Sequence, residues 1–254
     1  MSLEFSKDDP QKIVHYPKNA TRFEFDREVA VIFPNMARRS IPMYEEAHRL
    51  HISLVLDKFI DGHEDIQVVD VGASRGAFLK EICNQLQWPI DRKHPRIRML
   101  AIDSSADMLE LLQAEMPGVS VLHAEAQGLR SLDGSADVIS MMYVLQFIQD
   151  PADKLAVLQW AHDSLKPGGY LLLGQKDLVS KEYEELFAQE YYRFRYSNGY
   201  THDEIVAKTQ ALKNSMWPST PAWLEDMCIQ AGFSDYAVTS RWLQFSTSIC
   251  TKRG

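Results

Sequence analysis

The sequence predicts an α/β protein: a doubly wound, mostly parallel sheet of seven strands, preceded by helices and carrying a helical cap after the fifth strand. Three observations predict it. Short apolar runs alternate with amphipathic segments from residue 66 to residue 174, the rhythm of strand–helix–strand units. One run, Gln67-Val68-Val69-Asp70-Val71, passes into a loop with glycines at Gly72 and Gly76 and then into an amphipathic segment. The last two apolar runs, at about 235–241 and 244–251, leave no room for a helix between them. They are expected to form an antiparallel hairpin at the sheet edge.

The elements follow in order. Residues 1–20 read as a loose leader broken by Pro10 and Pro17. An amphipathic helix is expected from Phe23 to Met36, closed by Pro34, and then a bend over Arg38–Tyr44. From Tyr44 to Phe59, apolar residues at Ala47, Leu50, Leu54, Val55 and Phe59 have helical spacing, and Gly62 should end that helix. Residues 1–60 therefore form an N-terminal helical segment, and 61–254 the main domain. Its strands are expected at 66–71, 98–103, 120–125, 136–143 and 170–174. Helices are expected at 76–86, 106–116 and 151–165, with Ser104 and Ser105 able to cap the second. Lys166-Pro167-Gly168-Gly169 reads as a turn. The aromatic stretch 178–218 breaks the rhythm and reads as two helices divided by Ser197-Asn198-Gly199. A last helix, Ala222–Ala231, ends at Gly232, a suitable C-cap.

Composition narrows the class. The 254 residues carry 45% hydrophobic and 24% charged side chains, the balance of a globular protein. No apolar run reaches the roughly 18 residues of a membrane span, and residues 1–10 lack a signal-peptide core. The net charge of -8 weighs against a broad nucleic-acid footprint. Cys83, Cys228 and Cys250 are dispersed, as expected of a reduced, cytoplasmic chain.

The loop after the first strand reads as a ligand site. Glycines permit positive φ and close backbone approach, and the turn should present amides at a helix N-terminus. The spacing Asp70-x-Gly72-x-x-x-Gly76 lacks the third glycine of the nicotinamide fingerprint. Asp103 ends the second strand, where a carboxylate can accept from both hydroxyls of a ribose. Ala124-Glu125-Ala126 ends the third, beside the place of an adenine.

With Lys166-Pro167-Gly168-Gly169 and Ala231-Gly232-Phe233, this order of motifs resembles class I S-adenosylmethionine-dependent methyltransferases, a Rossmann-like fold. More narrowly, the chain resembles the carboxy-S-adenosylmethionine synthases and their methyltransferase relatives linked to the tRNA wobble uridine. Phe25-Asp26-Arg27-Glu28-Val29-Ala30, Phe33-Pro34-Asn35-Met36, Arg39-Ser40-Ile41-Pro42-Met43-Tyr44, Ala101-Ile102-Asp103-Ser104-Ser105, Leu145-Gln146-Phe147 and Asn198-Gly199-Tyr200 carry that likeness. It implies S-adenosyl-L-methionine as cofactor and a homodimer. It also implies cofactor roles for Tyr44, for Gly72, Ala73 and Ser74, and for Asp103 and Ser104. Glu125, Ala126 and Met142 follow from the same likeness, and Asp70, Gly76 and Met108 are counted with them. At Met142 the synthases have asparagine. Their helix after Asn-Gly-Tyr carries a lysine followed by an arginine that binds the extra carboxylate of the carboxylated cofactor. Here the lysine is Lys208 and the next residue is Thr209, which cannot supply a bidentate cation.

The expected reaction is therefore in-line methyl transfer to a small molecule, ahead of a modified nucleotide such as one in tRNA. The alternatives are carboxy-S-adenosylmethionine synthesis from prephenate and cofactor binding without catalysis. Alignment and exclusion of water do most of the work in such a transfer. Tyr143 and His202 are the candidate bases; Gln146, Arg195 and Tyr200 are candidates for the acceptor pocket. Arg75 is expected to face solvent. His48 and His51 have metal-compatible helical spacing but no third ligand nearby in sequence, so no metal is expected.

Overall fold

The computed structural model describes residues 25–60, 65–93, 96–213 and 215–254. The leader and the stop at Gly62 lie outside these residues. Seven strands form one sheet: β1 (Ile66–Val71), β2 (Ile97–Asp103), β3 (Ser120–His123), β4 (Ala136–Met142), β5 (Leu165–Lys176), β6 (Asp235–Trp242) and β7 (Phe245–Thr251). Their order is β3-β2-β1-β4-β5-β7-β6. The first five run parallel, and β7 enters antiparallel between β5 and β6. The expected terminal hairpin is present, with β6 at the edge. Chain order reverses between β1 and β4, so connections leave their carboxyl ends in opposite directions and open a crevice.

Side chains alternate across each strand, and both faces of the sheet are covered. Val69 and Val71 join the core beneath α5 (Pro151–Ser164) and α8 (Pro221–Gln230). Val68 joins the core on the other face with Phe78, Leu79 and Ile82 of α3 (Ala77–Gln85) and Leu112 of α4 (Ala106–Glu115). Ile52 and Val55 of α2 (Tyr44–Ile60) are buried in that second core, so the N-terminal segment packs on the sheet through its second helix.

The first helix departs from expectation. Helix α1 spans Arg27–Ser40 and runs through Pro34. Asp26 caps it, its Oδ1 accepting from the Val29 amide at 2.9 Å. Proline has no N–H, so the Ala30 carbonyl loses its helical donor. Arg75 supplies the substitute: its Nη1 donates to Ala30 O at 3.0 Å. Arg75 is therefore buried rather than solvated, and its guanidinium pairs with Glu115 of α4, as does Lys80.

The cap consists of α6 (Lys181–Ser197) and α7 (His202–Lys213), joined through Gly199 at φ +83°. It is pinned to the end of α1. Tyr191 Oη donates to Ser40 O at 2.8 Å, Arg39 Nε donates to Asn198 O at 2.6 Å, and Tyr200 Oη lies 2.9 Å from Ser40 Oγ. Strand β5 is longer than expected. It absorbs the Lys166–Gly169 turn as an irregularity opposite β4 and extends to Lys176 at its carboxyl end.

Candidate active site

Loop and strand ends lock together. Beyond β1, Gly72, Ser74 and Gly76 all have positive φ. At Gly72 a Cβ would stand 2.4 Å from Val144 Cγ2. The Gly72 and Ala73 amides donate to Ile102 O at 2.8 and 3.0 Å. The Ser74 amide donates to Asp103 Oδ2 and the Ser105 amide to Oδ1, each at 2.8 Å. The loop amides expected to greet a ligand are thus bonded to β2 and its end. What the loop presents is an oriented Asp103 carboxylate, with a second lone pair free on each oxygen. Burial raises the Asp103 pKa against the lowering effect of those two amides. Burial, with Asp103 nearby, raises Asp70 to about 7.

A single cavity opens over these strand ends. Tyr44 enters from α2; Asp70, Gly72, Ala73 and Ser74 from β1 and its loop; Asp103 and Ser104 from the end of β2. Glu125 and Ala126 follow β3, Met142 ends β4, and Tyr143 and Gln146 follow it. Twelve predicted residues, drawn from five parts of the chain, thus share one wall. Tyr143 has φ +65°, a strained conformation for a bulky side chain, of the kind that concentrates at functional sites. Burial raises its phenol pKa far above neutrality, which makes Tyr143 a poor base. Gln146 Oε1 accepts from the Lys176 amide at 2.5 Å and so fixes the end of β5.

Five predicted residues stand outside the cavity wall. Gly76 begins α3 and faces Leu112 and Met116. Met108 is fully buried behind the loop, its sulfur accepting from Ser74 Oγ at 3.3 Å. Tyr200 belongs to the α1–cap junction, with Arg39 stacked 4.3 Å from its ring centre. Arg195 lies 4.2 Å from the Tyr191 ring centre and donates to Thr209 Oγ1 at 3.0 Å. His202 contacts Tyr192 Oη at 3.1 Å, away from the cavity.

Other cavity residues are not among the site candidates that the sequence marks. Lys176, Lys208, Tyr191 and Phe245 line its cap side; they come from β5, α7, α6 and β7. His48 also lines it. Its Nδ1 lies 2.6 Å from Tyr44 O. A carbonyl only accepts, so Nδ1 carries the proton and Nε2 the lone pair. Burial lowers the His48 pKa and keeps the ring neutral. His51 turns instead to Thr239, at 2.9 Å, so the two histidines do not converge. Among the described residues, no group of three His, Cys, Asp or Glu side chains could hold a metal.

The sheet order, the glycine loop and the carboxylate at the end of β2 define a class, and a family model for the methyltransferase domain matches residues 43–213. The chain belongs to the methyltransferase-domain family, and its cofactor is S-adenosyl-L-methionine. Within that family it is similar to the carboxy-S-adenosyl-L-methionine synthase of Wolinella succinogenes, 34% identical over 91% of this chain and 94% of that protein. The synthase of Nautilia profundicola is 32% identical over 91% and 95%. Among solved structures, the S-adenosylmethionine-dependent methyltransferase SibL shares the fold at TM-score 0.56 and 17% identity, covering 88% of this chain and 57% of its own.

Proposed function

We infer that the protein transfers the methyl group of S-adenosylmethionine to a small molecule held in the same cavity as the cofactor. One observation carries the reading: the wall that begins at Asp103 and Ser74 continues without a break to Tyr143, His48 and the cap. Asp103 accepts from the ribose hydroxyls through its remaining lone pairs. Glu125 and Ala126 flank the adenine. Tyr44, Asp70 and the Gly72–Ser74 loop hold the methionine portion, and Met142 and Gln146 flank the methyl. Helix α1 and the cap line the side of the cavity facing the strand ends, which suits a small acceptor rather than a folded RNA.

The sulfonium is a good leaving group, so alignment supplies most of the rate. For a hydroxyl acceptor, His48 Nε2 takes the proton; the ring is neutral and accepting, whereas Tyr143 is not ionised near neutrality. The test is formation of S-adenosylhomocysteine from S-adenosylmethionine across a panel of small hydroxy and amino compounds. Turnover with any of them in wild type, lost in Asp103→Ala, supports the reading. No turnover with any, despite tight cofactor binding, overturns it in favour of a binding protein.

A second reading has its own support. The relatives named above are synthases of the carboxylated cofactor, and Arg195 donates to Thr209, the position where the family resemblance implies an arginine. It stands second because Arg195 is outside the cavity wall and Met142 is apolar. A carboxylated ligand bound to the purified protein would promote it to first.

A further inference from the structure

Four cations converge beneath the cap. Lys176 closes β5, Lys208 sits on α7, Arg195 on α6 and Arg39 on α1. The chain as a whole is acidic, at -8, so this concentration is local. Lys176 and Lys208 line the cavity. Lys208 Nζ donates to Ser40 Oγ at 2.5 Å and to Tyr200 Oη at 3.3 Å. Lys176 Nζ has no hydrogen-bond acceptor among the described residues; it lies 5.1 Å from the Tyr191 ring centre and 6.0 Å from that of Phe245. None of Lys176, Lys208 and Arg195 forms a salt bridge among the described residues. Glu204, the buried acid of α7, accepts from the Thr201 amide at 2.7 Å and caps its own helix.

Buried cations without a counter-charge are costly, and proteins keep them where a ligand completes them. Burial and the neighbouring positive charges lower Lys208 to about 7 and Lys176 to about 8. An anion there would restore both charges. The rings flanking Lys176 suit an apolar or aromatic body attached to that anion.

We propose that the cap side of the cavity is an anion subsite, in which the Lys176 ammonium, backed by Lys208, holds a carboxylate or phosphate of the acceptor. The proposal rests on the reading that acceptor and cofactor share this cavity, and it names the acceptor's chemical class. Neutral amines and alcohols without an acidic group are then poor acceptors. Lys208 is largely committed to Ser40 and Tyr200, so Lys176 is the group that meets the ligand.

Calorimetric titration of the full-length protein saturated with S-adenosylhomocysteine tests this, with three probes: inorganic phosphate, benzoate and neutral benzamide. At least one anion should bind saturably, and whichever is preferred identifies the acidic group. Benzamide should bind at least about tenfold more weakly than benzoate if carboxylate is preferred, a charge-assisted contact being lost. Lys176→Met should weaken the preferred anion by about tenfold or more, while Lys176→Arg keeps it within about threefold. Affinity for S-adenosylhomocysteine should be unchanged in both variants, which shows that the site is folded. The proposal is overturned if neither anion saturates, if benzamide equals benzoate without any phosphate binding, or if Lys176→Met binds the anion as wild type does. Failure to bind S-adenosylhomocysteine contradicts the proposed function instead; the same titrations without it still decide the anion subsite.

Discussion

Asp103 shows how a single carboxylate organises a site before any ligand arrives. Its two oxygens take one amide each, from Ser74 and Ser105, so its remaining lone pairs have fixed directions. Asp103→Ala should weaken S-adenosylmethionine binding by about 1.5–3 kcal/mol, the range for hydrogen bonds to charged groups. Calorimetry measures this directly, and unchanged affinity would remove Asp103 from the cofactor site. Asp70 gives a pH signature. Its folded pKa of about 7 exceeds its ordinary value of 3.8, so the native state holds a proton that the unfolded state has released. Stability relative to Asp70→Asn should therefore fall as pH rises from about 4 to about 7 and level off above. Urea unfolding of both proteins across that range checks it; parallel curves would mean that Asp70 is not held protonated. Asp103 was legible in the sequence because a strand end is a local event. The orientation of Gly76 and Met108 was not: both sit beside the motif, yet both face the core, and adjacency in sequence does not say which way a residue points.

At the scale of elements, the coupling of α1 to the cofactor loop is the clearest lesson. Pro34 frees the Ala30 carbonyl, and Arg75, a loop residue, occupies it. A proline inside a periodic run reads as a stop; here the helix continues because a side chain 45 positions later, by this hydrogen bond's sequence separation, replaces the missing donor. Arg75→Leu should cost about 1–3 kcal/mol by leaving a buried carbonyl unpaired. Pro34→Ala restores an amide donor, so the same change should cost less in that background, and a double-mutant cycle by urea unfolding measures the difference. Additive effects would show that Arg75 does not serve that carbonyl. Strands β1, β2 and β4, the paired cap helices and the terminal hairpin were all readable, since each is written in a short run of residues. The extension of β5 to Lys176 was hidden by a proline–glycine turn that the strand absorbs.

At the scale of the molecule, the cavity is a joint product of segments far apart in the chain. Asp103 ends a strand, Tyr44 begins a helix, and Lys176, Tyr191, Lys208 and Phe245 meet only when the cap folds over the carboxyl end of β5 and the amino end of β7. No spacing rule connects those four, so the strand-end side of the cavity was legible and the cap side was not. The same division separates the two chemical readings, because both put the cofactor on the strand-end side. The most direct test is the mass of the ligand released from protein purified from a host that makes both cofactors. The account predicts S-adenosylmethionine or its demethylated product. A carboxylated cofactor would contradict methyl transfer, and empty protein that also fails to take up added S-adenosylmethionine would contradict the site itself.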